Sequence, residues 1–139
     1  MDRLFLDANI LFSAAYSADS PLLELWQLKK VLLFSSAYAL EEARRNLALL
    51  RPDCSSSLQR LTAKVQLVDA PPLAKAPIEA RALPQKDLPI LLAAIEVRAT
   101  HLLTADKKHF GSLRGKTVQG VLVLTPGDYL RTKGESRRR

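Results

Sequence analysis

Short apolar runs separated by amphipathic stretches constrain this chain more than any other feature. Leu4-Phe5-Leu6, Val31-Leu32-Leu33-Phe34, Gln66-Leu67-Val68, His101-Leu102-Leu103-Thr104 and Val121-Leu122-Val123-Leu124 are too short for helices, and most are too apolar for strands with one wet face. They read as buried strands. Helical signals fill the gaps between them. Ser20-Pro21 is an N-cap followed by Pro at the first helical position, with Glu24 in the first turn and Leu22, Leu25 and Trp26 on the apolar side. Ser35 or Ser36 caps a longer helix that runs to about Leu50, and Pro52-Asp53 opens another through Leu58, Leu61 and Val65. A helix over about 73–83 has to place Pro77 at its start or break there. From Asp87 to Arg98 the chain is helical and apolar nearly all round, which predicts a buried helix, and Pro126-Gly127 turns into a short terminal one. With little Asn-Gly hairpin chemistry, this alternation predicts an α/β fold. Its sheet is mainly parallel, of about five strands, with helices on both faces.

The 139 residues, 47% hydrophobic and 25% charged, suit one globular domain, expected over residues 1–130. The stretch from Arg131 to Arg139 holds five basic side chains and one acid, so it carries +4 of the formal +7 and is expected to be a flexible basic tail. A basic balance suits nucleic acid, an acidic membrane or an acidic protein, and it equally suits a solvated tail with no partner. Cys54 has no second cysteine to pair with. No apolar stretch approaches the ~18 residues of a membrane span, and the first residues lack the apolar core of a signal peptide, so a cytoplasmic location is expected.

Four acids occupy the positions that chemistry uses in such a sheet. Ligands bind outside the carboxyl ends of the strands of an open α/β sheet. Asp7 directly follows the first strand, and Asp106 follows the fourth after one residue. In the helix after the second strand, Ala39, Leu40, Ala43, Leu47 and Leu50 form an apolar stripe. Glu42 lies about 100° from its middle and Glu41 about 160° away on the other side, so Glu42 reaches a cleft beside the core while Glu41 faces water. Asn46 shares the flank of Glu42. Asp87 begins the buried helix. Converging carboxylates repel one another, and a hard divalent ion with oxygen ligands, Mg²⁺ or Mn²⁺, relieves that repulsion and favours phosphoryl chemistry. Each acid also has an ordinary explanation: an Asx-turn at Asp7, a solvated helix charge at Glu42, a cap at Asp87 and a surface turn at Asp106. The convergence of all four on one edge is what favours a site.

These residues resemble a known family. Leu4-Phe5-Leu6-Asp7-Ala8-Asn9 resembles the first motif of PIN domains, an apolar strand ending in Asp-x-Asn. The Ser-capped helix carrying Glu42, the run Lys86-Asp87-Leu88-Pro89, and Leu103-Thr104-Ala105-Asp106 are similar to the second, third and fourth, in family order. The resemblance implies a Rossmann-like three-layer fold, Mg²⁺- or Mn²⁺-dependent phosphodiester hydrolysis, single-stranded RNA as substrate, and frequent homodimers. Many small members are toxins of VapC type, silenced by an antitoxin peptide that fills the acidic cleft. By position, Asp7, Glu42, Asp87 and Asp106 are expected to hold metal, with Asn9 and Thr104 orienting ligands or water behind them. Some members carry a further acid after the fourth motif, where this chain has Lys107, Lys108 and His109, which leaves open one metal ion or two. Lys107, Lys108, Arg114 and Lys116 are placed to follow a phosphate backbone at the rim, or are ordinary surface cations.

Other readings fit less well. A dehalogenase-type phosphatase needs Asp-x-Asp, and Asn9 stands at the second position. A receiver domain wants an acidic pair at the first strand, and the glycines form neither a Walker nor a dinucleotide pattern. The alternative from another class is a non-catalytic PIN-fold module that binds RNA or protein.

Overall fold

The computed structural model describes residues 1–69, 77–78, 83–84, 86–106, 108 and 110–138, the last five of these through their backbone alone. Six strands form one sheet in the order β3-β2-β1-β4-β6-β5. They are β1 (Asp2–Leu6), β2 (Val31–Ser36), β3 (Gln66–Val68), β4 (His101–Leu103), β5 (Thr117–Val118) and β6 (Val121–Leu124). The helices are α1 (Ala8–Tyr16), α2 (Ala37–Leu50), α3 (Ser55–Thr62), α4 (Leu88–Glu96) and α5 (Pro126–Arg138), with short 3₁₀ turns at Pro21–Gln27, Pro52–Cys54 and Gly111–Leu113. The pairs β1–β2, β1–β4, β2–β3 and β4–β6 are parallel.

The pleat of β1 builds the three layers. Successive side chains point to opposite faces, so Phe5 enters one core with Phe34, Leu102 and the α4 residues Ile90 and Leu91. Leu4 and Leu6 enter the other with Ile10, Leu33, Leu47, Leu58 and Leu103. Both sides of β1 are therefore dry, which is why it reads as an unbroken apolar run. α4 is buried from Ile90 to Ala94, as its apolar circumference predicts.

Three expectations are revised. The sheet has six strands, because Thr117–Val118 pairs antiparallel with Val121–Leu122. The two-residue turn between them, Gln119 at φ 51° and Gly120 at φ 87°, has the left-handed backbone of a tight hairpin without an Asn-Gly pair. The terminal helix is not short: α5 continues to Arg138 through the stretch expected to be a tail. Thr125 and Asp128 explain its start. The Thr125 hydroxyl accepts from the Asp128 amide at 3.1 Å, and the Asp128 carboxylate accepts from the Thr125 amide at 3.2 Å, a reciprocal cap with Pro126 at the first helical position. Finally, Leu50 stands 64% exposed rather than completing the apolar stripe of α2. The helix expected over 73–83 lies almost wholly outside the described residues. Among the described residues, no helix is long and apolar enough to cross a membrane.

Candidate metal centre at the sheet edge

The chain runs from β1 outward to β2 and β3, then returns to β4 on the other side of β1. The order reverses between β1 and β4, and at that switch point the loops beyond the two strand ends diverge and leave a crevice. Asp7 and Asp106 stand there. The Asp7 amide continues the ladder by donating to the Leu103 carbonyl at 3.1 Å, so the two strand ends are held side by side up to the acid itself.

Asp7 caps α1 and is only 4% exposed. One carboxylate oxygen accepts from the Ala8 amide at 2.6 Å and the other from the Thr104 hydroxyl at 2.7 Å. A carboxylate oxygen has a second lone pair, so each keeps capacity for another partner. Thr104 is itself buried, and having given its single proton to Asp7 it accepts from the Asp106 amide at 3.0 Å and the Asn9 side-chain amide at 3.4 Å. Asn9 returns the link by accepting from the Ala105 amide at 3.1 Å. Asn9 and Thr104 thus buckle the turn after β4 to the start of α1, and Asp106, whose carbonyl accepts from the Phe110 amide at 3.1 Å, is set by that buckle.

Glu42 and Asp87 arrive from the other side. Ser36, not Ser35, caps α2 by accepting from the Ala39 amide at 3.0 Å. Ser35 donates to the Leu6 carbonyl at 2.8 Å and ties the end of β2 to the end of β1. The choice between the two glutamates follows helical geometry: Glu41 pairs with Arg44 on the surface, whereas the charge of Glu42 is felt at Asp7. Asp87 is buried at the N-terminus of α4, yet its side chain makes no capping hydrogen bond there.

Burial pushes the Asp7 carboxyl up to about 6, against the pull of the Thr104 hydroxyl and the Ala8 amide, and the charges of Glu42 and Asp87 push it further the same way. A buried carboxylate facing two others wants a proton or a cation. The donors are all hard oxygens, the set that Mg²⁺ and Mn²⁺ prefer. Among the described residues no group of three or more acidic, histidine or cysteine side chains is already drawn together into a chelate. Asp7 carries the repulsion of Glu42 and Asp87, and a cation would have to draw the ligands in.

The basic residues divide. Lys108 and Lys116 are exposed, whereas Lys107 and His109 lie outside the described residues. Arg114 lines a small hollow with Asp106, Thr104 and Thr125, but its guanidinium is held by Asp128 through two bonds of 2.8 Å. Among the described residues at the crevice, Tyr38 is one that sequence reasoning missed. It lies in the first turn of α2, and its hydroxyl donates to the Lys86 carbonyl at 2.7 Å. Its place one helical turn before Glu42 can be read from the sequence, but its partner, a backbone carbonyl 48 residues away, cannot.

Residues 3–108 match the family model described as the PIN domain. No curated protein matches the chain. Among solved structures the fold is similar to VapBC2 from Rickettsia felis, a complex bound to a DNA fragment from its promoter, at 17% identity over 88% of this chain and 98% of that one, with a TM-score of 0.68. It is also similar to VapBC-1 from nontypeable Haemophilus influenzae, at 16% identity over 90% and 98% of the two chains and a TM-score of 0.60. FitAcB from Neisseria gonorrhoeae gives 18% identity, 89% and 98% coverage and a TM-score of 0.56. At these identities the likeness is one of fold.

Proposed function

The chain belongs to the PIN domain family, and from that premise we propose that it is a Mg²⁺- or Mn²⁺-dependent endoribonuclease acting on single-stranded RNA. The observation that carries the reading is Asp7. It is a buried carboxylate whose proton affinity is raised by burial and by Glu42 and Asp87, at the switch point of the sheet. A protein that only bound RNA through its basic surface would gain stability by replacing such an acid with a neutral residue.

In this reading Asp7, Glu42, Asp87 and Asp106 hold the cation. When bound, the ion supplies a nucleophilic water at neutral pH and neutralises charge on the scissile phosphate. The chain's own contribution is placement. Ala8 and Thr104 fix both oxygens of Asp7, so the carboxylate needs no reorientation when a cation arrives. Asn9 and Thr104 hold the Asp106 turn in register. Lys108 and Lys116 lie exposed beyond that turn, and their charge suits a phosphate backbone approaching the crevice. Arg114 contributes less to RNA, because contact with phosphate would compete with Asp128. The VapBC likeness supports a toxin role with an antitoxin partner whose peptide enters the acidic crevice, and family habit supports a homodimer.

The test is a labelled single-stranded RNA incubated with the protein in Mn²⁺ or in EDTA, beside Asp7→Asn. Cleavage is expected in Mn²⁺ alone, and the variant should lose at least on the order of 100-fold. A ligand contributes no less than the supporting residues whose loss costs 10–100-fold. Equal cleavage by the variant, or equal melting with and without Mn²⁺ in the unmodified protein, would overturn the reading.

A further inference from the structure

Tyr38 and Glu42 lie four residues apart on α2 and therefore share one face of the helix, a turn apart. The ring of Tyr38 is 38% exposed at the rim of the crevice, and its hydroxyl reaches across to the Lys86 carbonyl at 2.7 Å. That carbonyl belongs to the peptide that joins Lys86 to Asp87. Because the peptide is planar, fixing its oxygen also fixes the plane of the Asp87 amide, which donates to the Pro84 carbonyl at 2.9 Å. Asp87 then starts α4: its own carbonyl accepts from Ile90 at 3.2 Å. α2 and α4 belong to different layers, with Ala39 of α2 reaching the α4 core and Ala43 and Leu47 facing away from it. The Tyr38 hydrogen bond ties together the two elements that bear these acids.

We propose that Tyr38 is a positioning residue: its hydrogen bond to the Lys86 carbonyl clasps the turn that bears Asp87 to the helix that bears Glu42, and so sets the spacing of two metal ligands. The inference rests on the reading of Asp7, Glu42 and Asp87 as ligands. The clasp holds the turn of Asp87 against the helix of Glu42, so a cation entering the crevice would meet two ligands on elements already tied together. Its benefit should appear as metal affinity rather than as RNA affinity. The field of the acids is visible at the phenol, where burial first, then the charges of Glu42 and Asp87, hold the proton more tightly than in a free tyrosine. The phenol therefore stays protonated at neutral pH, as a donor to a carbonyl must.

Tyr38→Phe removes the hydroxyl and keeps the ring. Two measurements on the full chain separate the clasp from the reading beneath it. In EDTA, amide hydrogen exchange over residues 86–91 should quicken in the variant while the cores exchange as before, because only a local closure has been lost. In a Mn²⁺ titration followed by melting temperature, the half-effect concentration should rise about tenfold or more, the range seen when a supporting partner of a ligand is removed. The KM for RNA should stay within about twofold. Unchanged exchange in 86–91 would overturn the clasp even if Mn²⁺ binds. Faster exchange with an unchanged Mn²⁺ response would overturn its role in metal binding. An unmodified protein with no Mn²⁺ response would overturn the functional reading, and the metal role of the clasp with it. A normal Tyr38→Phe beside a Tyr38→Ala with raised KM would assign the ring to stacking on a base instead.

Discussion

Asp2 and Asp7 stand at opposite ends of β1 in opposite surroundings. Asp2 accepts from the Tyr129 hydroxyl at 2.6 Å and pairs with the Lys133 ammonium at 3.2 Å. Burial pushes its carboxyl up, but those two partners pull harder and leave it below the usual carboxylate range. Asp128, on the same terminal helix, is met by Arg114 and Arg131. The bond from Arg114 outweighs burial, and its carboxyl too is held well below the ordinary value. Asp7 is met by a hydroxyl, an amide and two more acids, and burial raises it to about 6. Asp2 and Asp128, at the α5 end, each have a cation inside the chain. Asp7 at the crevice feels the charges of Glu42 and Asp87 instead, and they raise its demand for a proton or a cation. An acid that folding satisfies is structural, and an acid that folding frustrates is a candidate for function.

The two ends should respond to pH with opposite signs, and this is the largest stability effect expected. The folded-state pKa of Asp7, about 6, lies above the ordinary 3.8, so folding binds its proton. That contribution is fully present below about 3.8 and is lost as pH rises through about 6. Asp2 and Asp128 are lowered, so theirs is present above 3.8 and lost as pH falls toward their folded values. In EDTA, the stability of the unmodified protein relative to Asp7→Asn should drop by up to about 3 kcal/mol between pH 4 and pH 8. Denaturant melts at a series of pH values measure it. Mn²⁺ should reverse the drop at pH 8. A flat difference would mean that Asp7 is not frustrated, and the contrast between the two ends would collapse.

At the other end, Asp128→Asn removes the bidentate Arg114 pair and weakens the cap of α5. The surface pairs contribute little singly, but a shared carboxylate with a reciprocal cap should make the loss roughly 1–2 kcal/mol. The loss should be full at neutral pH and fade as pH falls below 3.8 toward the lowered folded-state value of the carboxyl. Arg114 would be released toward the hollow beside Asp106, so an increase in RNA affinity is expected, measured by fluorescence anisotropy in Ca²⁺ or EDTA. A gain there would sharpen the division between cations committed to structure and cations available to substrate.

How much of this was legible in the sequence follows from what each feature depends on. The strand cores were legible because β1, β2, β4 and β6 are apolar runs that neighbours cover on both faces. Glu42 was separable from Glu41 because helical phase is fixed by position alone. The hairpin at Gln119-Gly120 was missed because only one of its two left-handed residues is a glycine. The length of α5 was missed because its basic composition resembles a solvated tail, while its anchor depends on long-range partners: Tyr129 packs edge-on to His101 at 4.9 Å and bonds to Asp2. Tyr38 was missed for the same reason, since its partner is a backbone carbonyl whose approach no local pattern announces. Acids at strand ends could be read directly; what holds them in place could not.

The smallest effect tests whether the two ends are independent. Tyr129→Phe keeps a ring that is 1% exposed and its edge contact with His101, and removes one hydrogen bond to Asp2, which retains Lys133. The cost should be about 1 kcal/mol, below the range for a bond to a charged acceptor, because Asp2 is partly solvated. The Asp2 carboxyl should titrate closer to its ordinary value, so the loss should shrink as pH falls below about 4. β1 runs from Asp2 to Leu6 with its ladder to β2 and β4 intact, and a packed strand transmits little of a lost contact at one end to the other. The Mn²⁺ concentration for half-maximal stabilisation should therefore be unchanged, measured in the same melts. If it shifts severalfold, β1 moves as a lever and the frustration at Asp7 is partly set by the grip on Asp2.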